Sequence, residues 1–533
     1  VPRDLIYWGT AMRHEITGCF DLGDLAPSNW ASEAVSVQSH DAGSTVPSKA
    51  VIRGLLNSLE QKGVGYCHWK SNIRLEETLT AAEDIDLLID RRDAKLFHAA
   101  LVENGFKVAQ SSSGIGHPGV FHAFGLDEAS AELVHVHAYF QIVSGDSLVK
   151  SYRLPIEKHL LAQTRYLHGV RVPTPEAELV LFALRIALKH TGPIEVLMAN
   201  RQYRGVSREL SWLREGANAE RAEALCMAWF PTIDPALFRQ LLDAIEAERA
   251  VVQRAVLGWR LAWRLRGLRR LNPMIGAVSR LWRVLSMLVK RFRHRRDLVL
   301  QTGGLIVALV GPKASGKSTI AHALESRLGS HLDVVRIHAG KPPATALTLL
   351  PRLLVPAARL LFSKERTGEY EKPERRREKR YSLLYVLRMA MLAYERRKLL
   401  SRAMRNATAG SVVISDRYPS ESTGAIDSCC FDDATLENCR SPLRRWLMKQ
   451  ERALYRGLPR PDLLICLEAP IETTIERDAR RLKKGGPDAA AVRRRWELES
   501  RPGPFGGLVI RIDTSRPLDE TVQAVVRAVW SAL

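Results

Sequence analysis

The sequence predicts an α/β protein in two parts. A parallel sheet covered by helices fills the carboxy-terminal half, and an α+β module with a helical extension precedes it. Three observations predict this. The stretch 305–324 reads as buried strand, glycine-bracketed loop and helix. Four further apolar strands alternate with helical patterns behind it, the signature of a parallel sheet. Earlier in the chain, short strands at 65–69, 83–90 and 131–140 give way after Thr174 to helices alone.

Residues 1–47 hold no hydrophobic period and are rich in Gly, Ser, Asp and Pro after Asp21, so a poorly ordered leader is expected. From 48 to 173 the pattern sharpens. Val51, Leu55, Leu56 and Leu59 recur at helical spacing, and the strand at 65–69 runs into Lys70-Ser71-Asn72. On the next strand Asp84 and Asp86 are two apart, so both point to one face. Two carboxylates there are costly unless paired or metal-bound, which makes them either a second candidate Mg²⁺ site or a structural pair with Lys70. His117–His122 leads into a strand that pairs with 131–140 as a hairpin. That last strand offers His135 and His137 on one face and only Glu132 on the other. A His–Asp metal cluster of His135, His137, Asp84 and Asp86 is a further reading. Thr174-Pro175 then opens a helical extension over 174–250, its last helix drawn as 235–258.

The segment 251–300 carries a dozen Arg, one Lys and a single acid, Asp297, with Trp259, Trp263 and Trp282 interleaved. It reads as two basic helices broken at Asn272-Pro273. The favoured account is a linker whose Trp residues pack inward while Arg snorkels. An anionic membrane surface is the second account, and nucleic acid the least favoured. Charge is divided accordingly. Residues 1–250 hold 25 Lys and Arg against 31 Asp and Glu, net −6, and the remainder 54 against 27, net +27. The basic half suits polyanionic ligands.

In that half, 301–533, Gly311 and Gly316 bracket Pro312, Lys313, Ala314 and Ser315, followed by Lys317, Ser318 and Thr319. This is Gly-x4-Gly-Lys-Ser/Thr in the required strand–loop–helix setting. Its amides and the helix N-terminus favour a phosphate. Lys317 is placed to reach β/γ-phosphates and Ser318 to ligate Mg²⁺. The strand 411–415 ends in Asp416, an acid at the carboxyl end beside that loop, a second Mg²⁺ ligand. ATP and Mg²⁺ are the expected cofactors.

Asp416-Arg417-Tyr418, the helix with Ala393-Tyr-Glu-Arg396-Arg397, Ser422-Thr423-Gly-Ala and Pro461 to Pro470 together resemble thymidylate kinases and thymidylate kinase-like proteins. The resemblance covers about 304–533. It implies that Arg417 binds the acceptor phosphate, that Arg396 or Arg397 contacts the base, and that Arg480 and Arg481, with Lys483 and Lys484, close as a lid. Lys313-Ala314 stands where that family carries Asp-Gly, so the acceptor is left as a small, phosphorylated or hydroxylated molecule. The region 48–170 resembles the nucleotidyltransferase fold through Asp84-x-Asp86 on the second strand, with Lys70-Ser71 in place of its Gly-Ser turn. A third carboxylate that this fold implies has no counterpart on 131–140.

Three functions follow as expectations. The first is transfer of the ATP γ-phosphoryl group, as in nucleoside-monophosphate kinases. The second makes the amino-terminal module an active nucleotidyltransferase with a regulatory P-loop part. The third is a non-catalytic nucleotide-binding scaffold at a membrane surface. Seven unspaced Cys exclude a disulfide framework or zinc finger and point to a reducing, cytoplasmic setting. No signal peptide or spanning helix is expected; the most apolar stretch, 344–362, is broken by Pro351, Arg352, Pro356 and Arg359. A homodimer is compatible with all three.

Overall fold

The computed structural model describes residues 47–114, 116–189, 191–247, 251–292, 295–349, 381–419, 423, 427–480, 489–499 and 507–533, all within one compact unit, Val46–Leu533. The expected leader, apart from Pro47, lies outside them, as do most of 344–362, Ser422, and Arg481, Lys483 and Lys484 of the expected lid.

The described residues open with α1 (Ala50–Gln61), whose Ile52, Leu55, Leu56 and Leu59 form a buried stripe. Next come β1 (Tyr66–His68), α2 (Leu75–Leu79), β2 (Ile85–Ile89), α3 (Ala94–Glu103), β3 (Lys107–Ser111), β4 (Val120–Asp127) and β5 (Glu132–Tyr139). Two small hairpins follow, β6 (Ile142–Ser144) with β7 (Tyr152–Leu154), then, past α4 (Glu157–Ala162), β8 (Thr164–Leu167) with β9 (Val170–Pro173). The helical extension comprises α5 (Pro175–Lys189), α6 (Pro193–Gly216), α7 (Ala219–Trp229), α8 (Pro235–Glu246) and α9 (Val251–Arg264). α5 is buried on nearly every side, from Ala177 to Leu188, and is the axis of this bundle. The single helix expected over 235–258 is two, because Ala247 leaves the helical region at φ −73°, ψ 115°.

After a short 3₁₀ turn comes α10 (Pro273–Phe292), then β10 (Leu298–Leu300). β10 pairs with β3, so the end of the basic segment is a strand of the first sheet rather than linker. That six-stranded sheet runs β1-β2-β5-β4-β3-β10, antiparallel except for the parallel β2–β5 pair. The inward-packed Trp residues expected of 251–300 are not found: Trp259, Trp263 and Trp282 are 60–63% exposed. The inner face of α9 is taken by Leu257, Gly258, Leu261 and Ala262. A Cβ at Gly258 would lie 2.6 Å from the Ala187 carbonyl oxygen. Close backbone contact with α5 therefore fixes the rotation of α9 and turns both its Trp residues outward.

The second sheet is the parallel one. β11 (Ile306–Val310) leads into α11 (Lys317–Leu328) and β12 (Val334–His338). Then come α12 (Leu383–Thr408), β13 (Val412–Asp416), α13 (Asp433–Glu437), α14 (Pro442–Arg456) and β14 (Leu463–Glu468). The chain ends with α15 (Ile471–Ala479), α16 (Ala489–Glu499), β15 (Leu508–Asp513) and α17 (Leu518–Ala532). The order is β12-β13-β11-β14-β15, five parallel strands as expected. The two halves share a core: Ala109, Phe124, Leu126 and Ala131 of the first sheet pack in one apolar cluster with Ile320, Leu324 and Leu328 of α11 and the second sheet. Among the described residues no helix is long and apolar enough to cross a membrane, and six cysteines are free.

Candidate phosphate-binding site

In an open parallel sheet, ligands bind beyond the carboxyl ends of strands, where successive connections diverge. Here that point is the end of β11, from which the chain leaves for β12 on one side while β14 leads to β15 on the other. Leu309 stands opposite Asp416, and Asp416 opposite His338, so three strand ends present their side chains at one edge.

The loop 311–316 is built by backbone geometry. Gly311 (φ +143°) runs so close to β14 that a Cβ would lie 2.3 Å from the Leu467 carbonyl oxygen. Ala314 (φ +67°) and Gly316 (φ +93°) occupy the left-handed region, and the second turns the chain into α11. Lys317 Nζ donates to the carbonyl oxygens of Gly311 (2.8 Å) and Pro312 (2.7 Å), which hold the ammonium at the mouth of the loop. Ser318 Oγ donates to Asp416 Oδ2 at 2.6 Å. The two oxygen ligands expected for Mg²⁺ thus meet although 98 residues apart. Thr319 is exposed on the first turn of α11. Lys313 Nζ reaches Asp478 Oδ2 at 2.7 Å, which ties the loop to α15. Arg480, at the end of α15, is exposed and paired with Glu476 at 2.5 Å, one turn back on its own helix.

A second cluster lies beside the ends of β12 and β13. Arg396, buried on α12, donates from Nε to the Ala339 carbonyl (3.0 Å), from Nη2 to Asp427 Oδ1 (2.6 Å) and from Nη1 to the Tyr455 hydroxyl. Arg417 turns at φ +77°, and its Nη1 lies 3.4 Å from Asp427 Oδ2. Arg396 is therefore the arginine that faces this site, whereas Arg397 lies against Gly457. Burial lowers the pKa of His338, at the end of β12. Lys341 is exposed. Sequence reasoning missed Asp427 and Tyr455. A buried arginine demands an acid, but the separation of 31 positions between Arg396 and Asp427 hides which acid supplies it.

At the carboxyl ends of β11, β14 and β15 a cleft of about 810 Å³ is lined by Gly311, Pro312, Glu468, Pro470, Trp496 and Arg511. Trp496 Nε1 donates to the Ala469 carbonyl (2.8 Å), and Arg511 bonds Glu468 (2.9 Å), so both walls are fixed. Trp496 was not singled out from the sequence either.

In the first sheet, Asp84 and Asp86 do not converge on a shared point. Asp86 Oδ1 lies 2.8 Å from Lys70 Nζ and 3.4 Å from His137 Nδ1, while Asp84 Oδ1 lies 2.8 Å from His135 Nδ1. Burial opposes the charge on Asp86, but Lys70 and His137 outweigh it and hold the carboxyl far below its usual range. Glu132 is exposed and pairs with Lys49 at 2.8 Å.

The strand–loop–helix at the centre of the second sheet, with its lysine and strand-end acid, defines a P-loop fold. No protein-family model matches the chain. An uncharacterized ATP-binding protein of Escherichia coli (strain K12), YghS, is 27% identical to it over 248 residues, which is 45% of this chain and 99% of that protein. Among solved structures, a sugar kinase from Janibacter sp. HTCC2649 is 16% identical over 42% of this chain and 93% of its own, with a TM-score of 0.22. Deoxyadenosine kinase from M. mycoides with bound dCTP is 14% identical over 43% of this chain and 100% of its own, with a TM-score of 0.23.

Proposed function

We propose that the carboxy-terminal half is an ATP- and Mg²⁺-dependent phosphotransferase of the thymidylate or nucleoside-monophosphate kinase type, moving the γ-phosphoryl group of ATP to a small, phosphorylated acceptor. The observation that carries this reading is the meeting of Ser318 and Asp416 beside Lys317 at the mouth of the loop. The relation to an ATP-binding protein supports the choice of nucleotide. Hard oxygen donors at the end of a parallel strand fit Mg²⁺, so Ser318 and Asp416 are the residues that would hold it. Bound there, the ion would offset the charge of the phosphates.

The chain's own groups do the rest. The amides of 311–317 cradle the phosphates, Lys317 compensates the charge on the β/γ-oxygens, and the cleft against Trp496 receives the base. The acceptor approaches from the side of β12, where Arg417 is half exposed and held by Asp427. Arg396 is buried, with its guanidinium fixed by three partners, and acts as the wall that positions Asp427 and Arg417. Phosphoryl transfer asks of a protein mainly alignment and electrostatic stabilisation, and this arrangement supplies both.

The test is incubation of the full chain with γ-labelled ATP and a panel of nucleoside monophosphates and phosphorylated sugars. Label appearing in an acceptor supports the reading. Pyrophosphate release instead would assign the activity to nucleotidyl transfer, and absence of magnesium-dependent ATP binding would end both.

A further inference from the structure

The first sheet carries a cluster that the proposed phosphotransferase does not use. His135 and His137 alternate on β5, and His122 on the antiparallel neighbour β4 pairs directly with His137. The three rings meet: centroids lie 4.3 Å apart for His122 and His137 and 5.2 Å for His135 and His137. His122 Nδ1 is 2.9 Å from His135 Nε2. One ligand atom from each of the three falls within 4.8 Å of the others. Behind them stand the two carboxylates of β2 and its approach, Asp84 at His135 Nδ1 and Asp86 at His137 Nδ1. Both contacts fall on the Nδ1 side of the ring, and His135 turns its Nε2 to His122. His331, just beyond α11, faces His135 from the phosphate-loop half, its ring 5.7 Å away.

We propose that His122, His135 and His137 bind one divalent transition-metal ion, with Asp84 and Asp86 as the groups that orient His135 and His137. A histidine ligand characteristically offers its second nitrogen to a carboxylate, which fixes the tautomer and ring orientation. Two such pairs occur here side by side, and that gives the Asp-x-Asp strand its role. Three imidazoles suit zinc and its neighbours and do not suit Mg²⁺, which demands oxygen. Three nitrogen ligands also leave a fourth position open, as in catalytic rather than structural zinc sites. This inference is independent of the proposed function.

Tag-free full-length protein, stripped with chelator, is titrated with Co²⁺ without nucleotide, and visible absorption is recorded. The expected result is one tetrahedral Co²⁺ per chain, displaced by Zn²⁺. Asp84→Asn weakens affinity by about 10–100-fold, and His122→Asn, which keeps a polar side chain of similar reach, removes the absorption while far-UV circular dichroism is unchanged. Lys317→Ala leaves it intact. No stoichiometric absorption, or absorption indifferent to both His122→Asn and His137→Asn, overturns the proposal.

A separate observation concerns α10. Its inner side is Gly276, Ser279, Arg280, Arg283 and Ser286, and the arginines bind Asp146 (3.1 Å) and the Gly116 carbonyl (3.2 Å). Its outer side is Met274, Val278, Leu281, Trp282, Leu285 and Phe292, all exposed, Phe292 by 84%. A surface helix in water presents the opposite arrangement. α9 adds exposed Val252, Val256, Trp259 and Trp263 at the same helical spacing. Exposed Arg260, Arg266, Arg269 and Arg291 flank these stripes, and the segment's single acid, Asp297, is already paired with Lys290.

We infer that α10 lies in the interface of an anionic membrane, apolar face inward to the lipid. Like charges of this density oppose a second copy of the chain and favour acidic headgroups. The full chain is floated with phosphatidylcholine vesicles with and without phosphatidylglycerol. Retention by anionic vesicles that high salt weakens, lost at least tenfold in a Leu281→Glu/Leu285→Glu variant that still binds ATP, supports the inference. No retention at low salt, or a wild-type dimer that the double variant dissolves, overturns it.

Discussion

At the carboxyl edge of the second sheet, nine consecutive residues, 311–319, make most of a site, and only Asp416 is brought in from afar. On the face of the first sheet, no two neighbouring residues belong to the cluster. Asp84, Asp86, His122, His135 and His137 come from three strands and meet through register alone. The first kind of site is made by backbone, so glycines and positive φ angles mark it. The second is made by side chains on a pleated surface, where shifting one strand by a single residue would turn every ligand to the opposite face. Oxygen and amide groups dominate at one, imidazole at the other. The two proposed sites call on different ligand chemistries, so substitutions in one should leave the other unmoved.

The largest expected break in that separation comes from neither ligand set but from the acid that joins Arg396 and Arg417. Asp427 carries the charge that matches buried Arg396, with both side chains at most 10% exposed. Asp427→Asn leaves the guanidinium buried without a counter-charge and should cost about 3–5 kcal/mol of stability, read as a lowered urea midpoint. A loss under about 1 kcal/mol would show that solvent reaches this pair and that Arg396 is not a rigid wall. Cobalt binding in the surviving folded fraction should match the wild type.

Next in size is Lys317→Ala. Removal of one preorganised donor at a charged transition state costs on the order of 10²–10³ in kcat, while the urea midpoint should hardly change. The converse variant, Asp84→Asn, should leave ATP turnover as it was. If Asp84→Asn abolished turnover and Lys317→Ala spared it, the roles of the two sheets would be reversed.

How much of this was legible follows from the same contrast. The five parallel strands, the loop and Asp416 were readable because apolar runs, glycine spacing and a terminal acid are local signals. Asp84, Asp86, His135 and His137 could be named, but His122 could not be joined to them before the β4–β5 register placed it opposite His137. Arg396 could not be separated from Arg397 until burial chose between them. The Trp residues of 251–300 were expected inside on hydrophobicity alone. The close approach at Gly258, a tertiary fact, put α9's Trp residues outside, and the arginines that anchor α10 to Asp146 and Gly116 did the same for Trp282.

The smallest effect compares two buried glutamates, one in each half. Burial pushes Glu178 of α5 and Glu451 of α14 up to about 7. Glu178 accepts from the Asn72 amide (3.1 Å), and Glu451 from the Cys430 amide (2.7 Å) and Cys429 Sγ (3.0 Å). Neither set of donors offsets the loss of water. The folded pKa is raised above that of the unfolded chain, so between pH 4.5 and about 7 the native state holds protons that the unfolded state has released. The stabilisation is complete at the acid end of that window and declines as pH rises through it, by at most about 1.4 kcal/mol per pH unit for each group. Relative to the wild type, Glu178→Gln and Glu451→Gln should each gain urea stability as pH rises from 5 to 7, and the double variant should gain more, because the two sites share no partners. If only Glu178→Gln acts, then Glu451 is already charged at pH 5, and its thiol and amide contacts stabilise the carboxylate more than burial disfavours it. A stability difference between the double variant and the wild type that stays constant from pH 5 to 7 would contradict the neutral form at both.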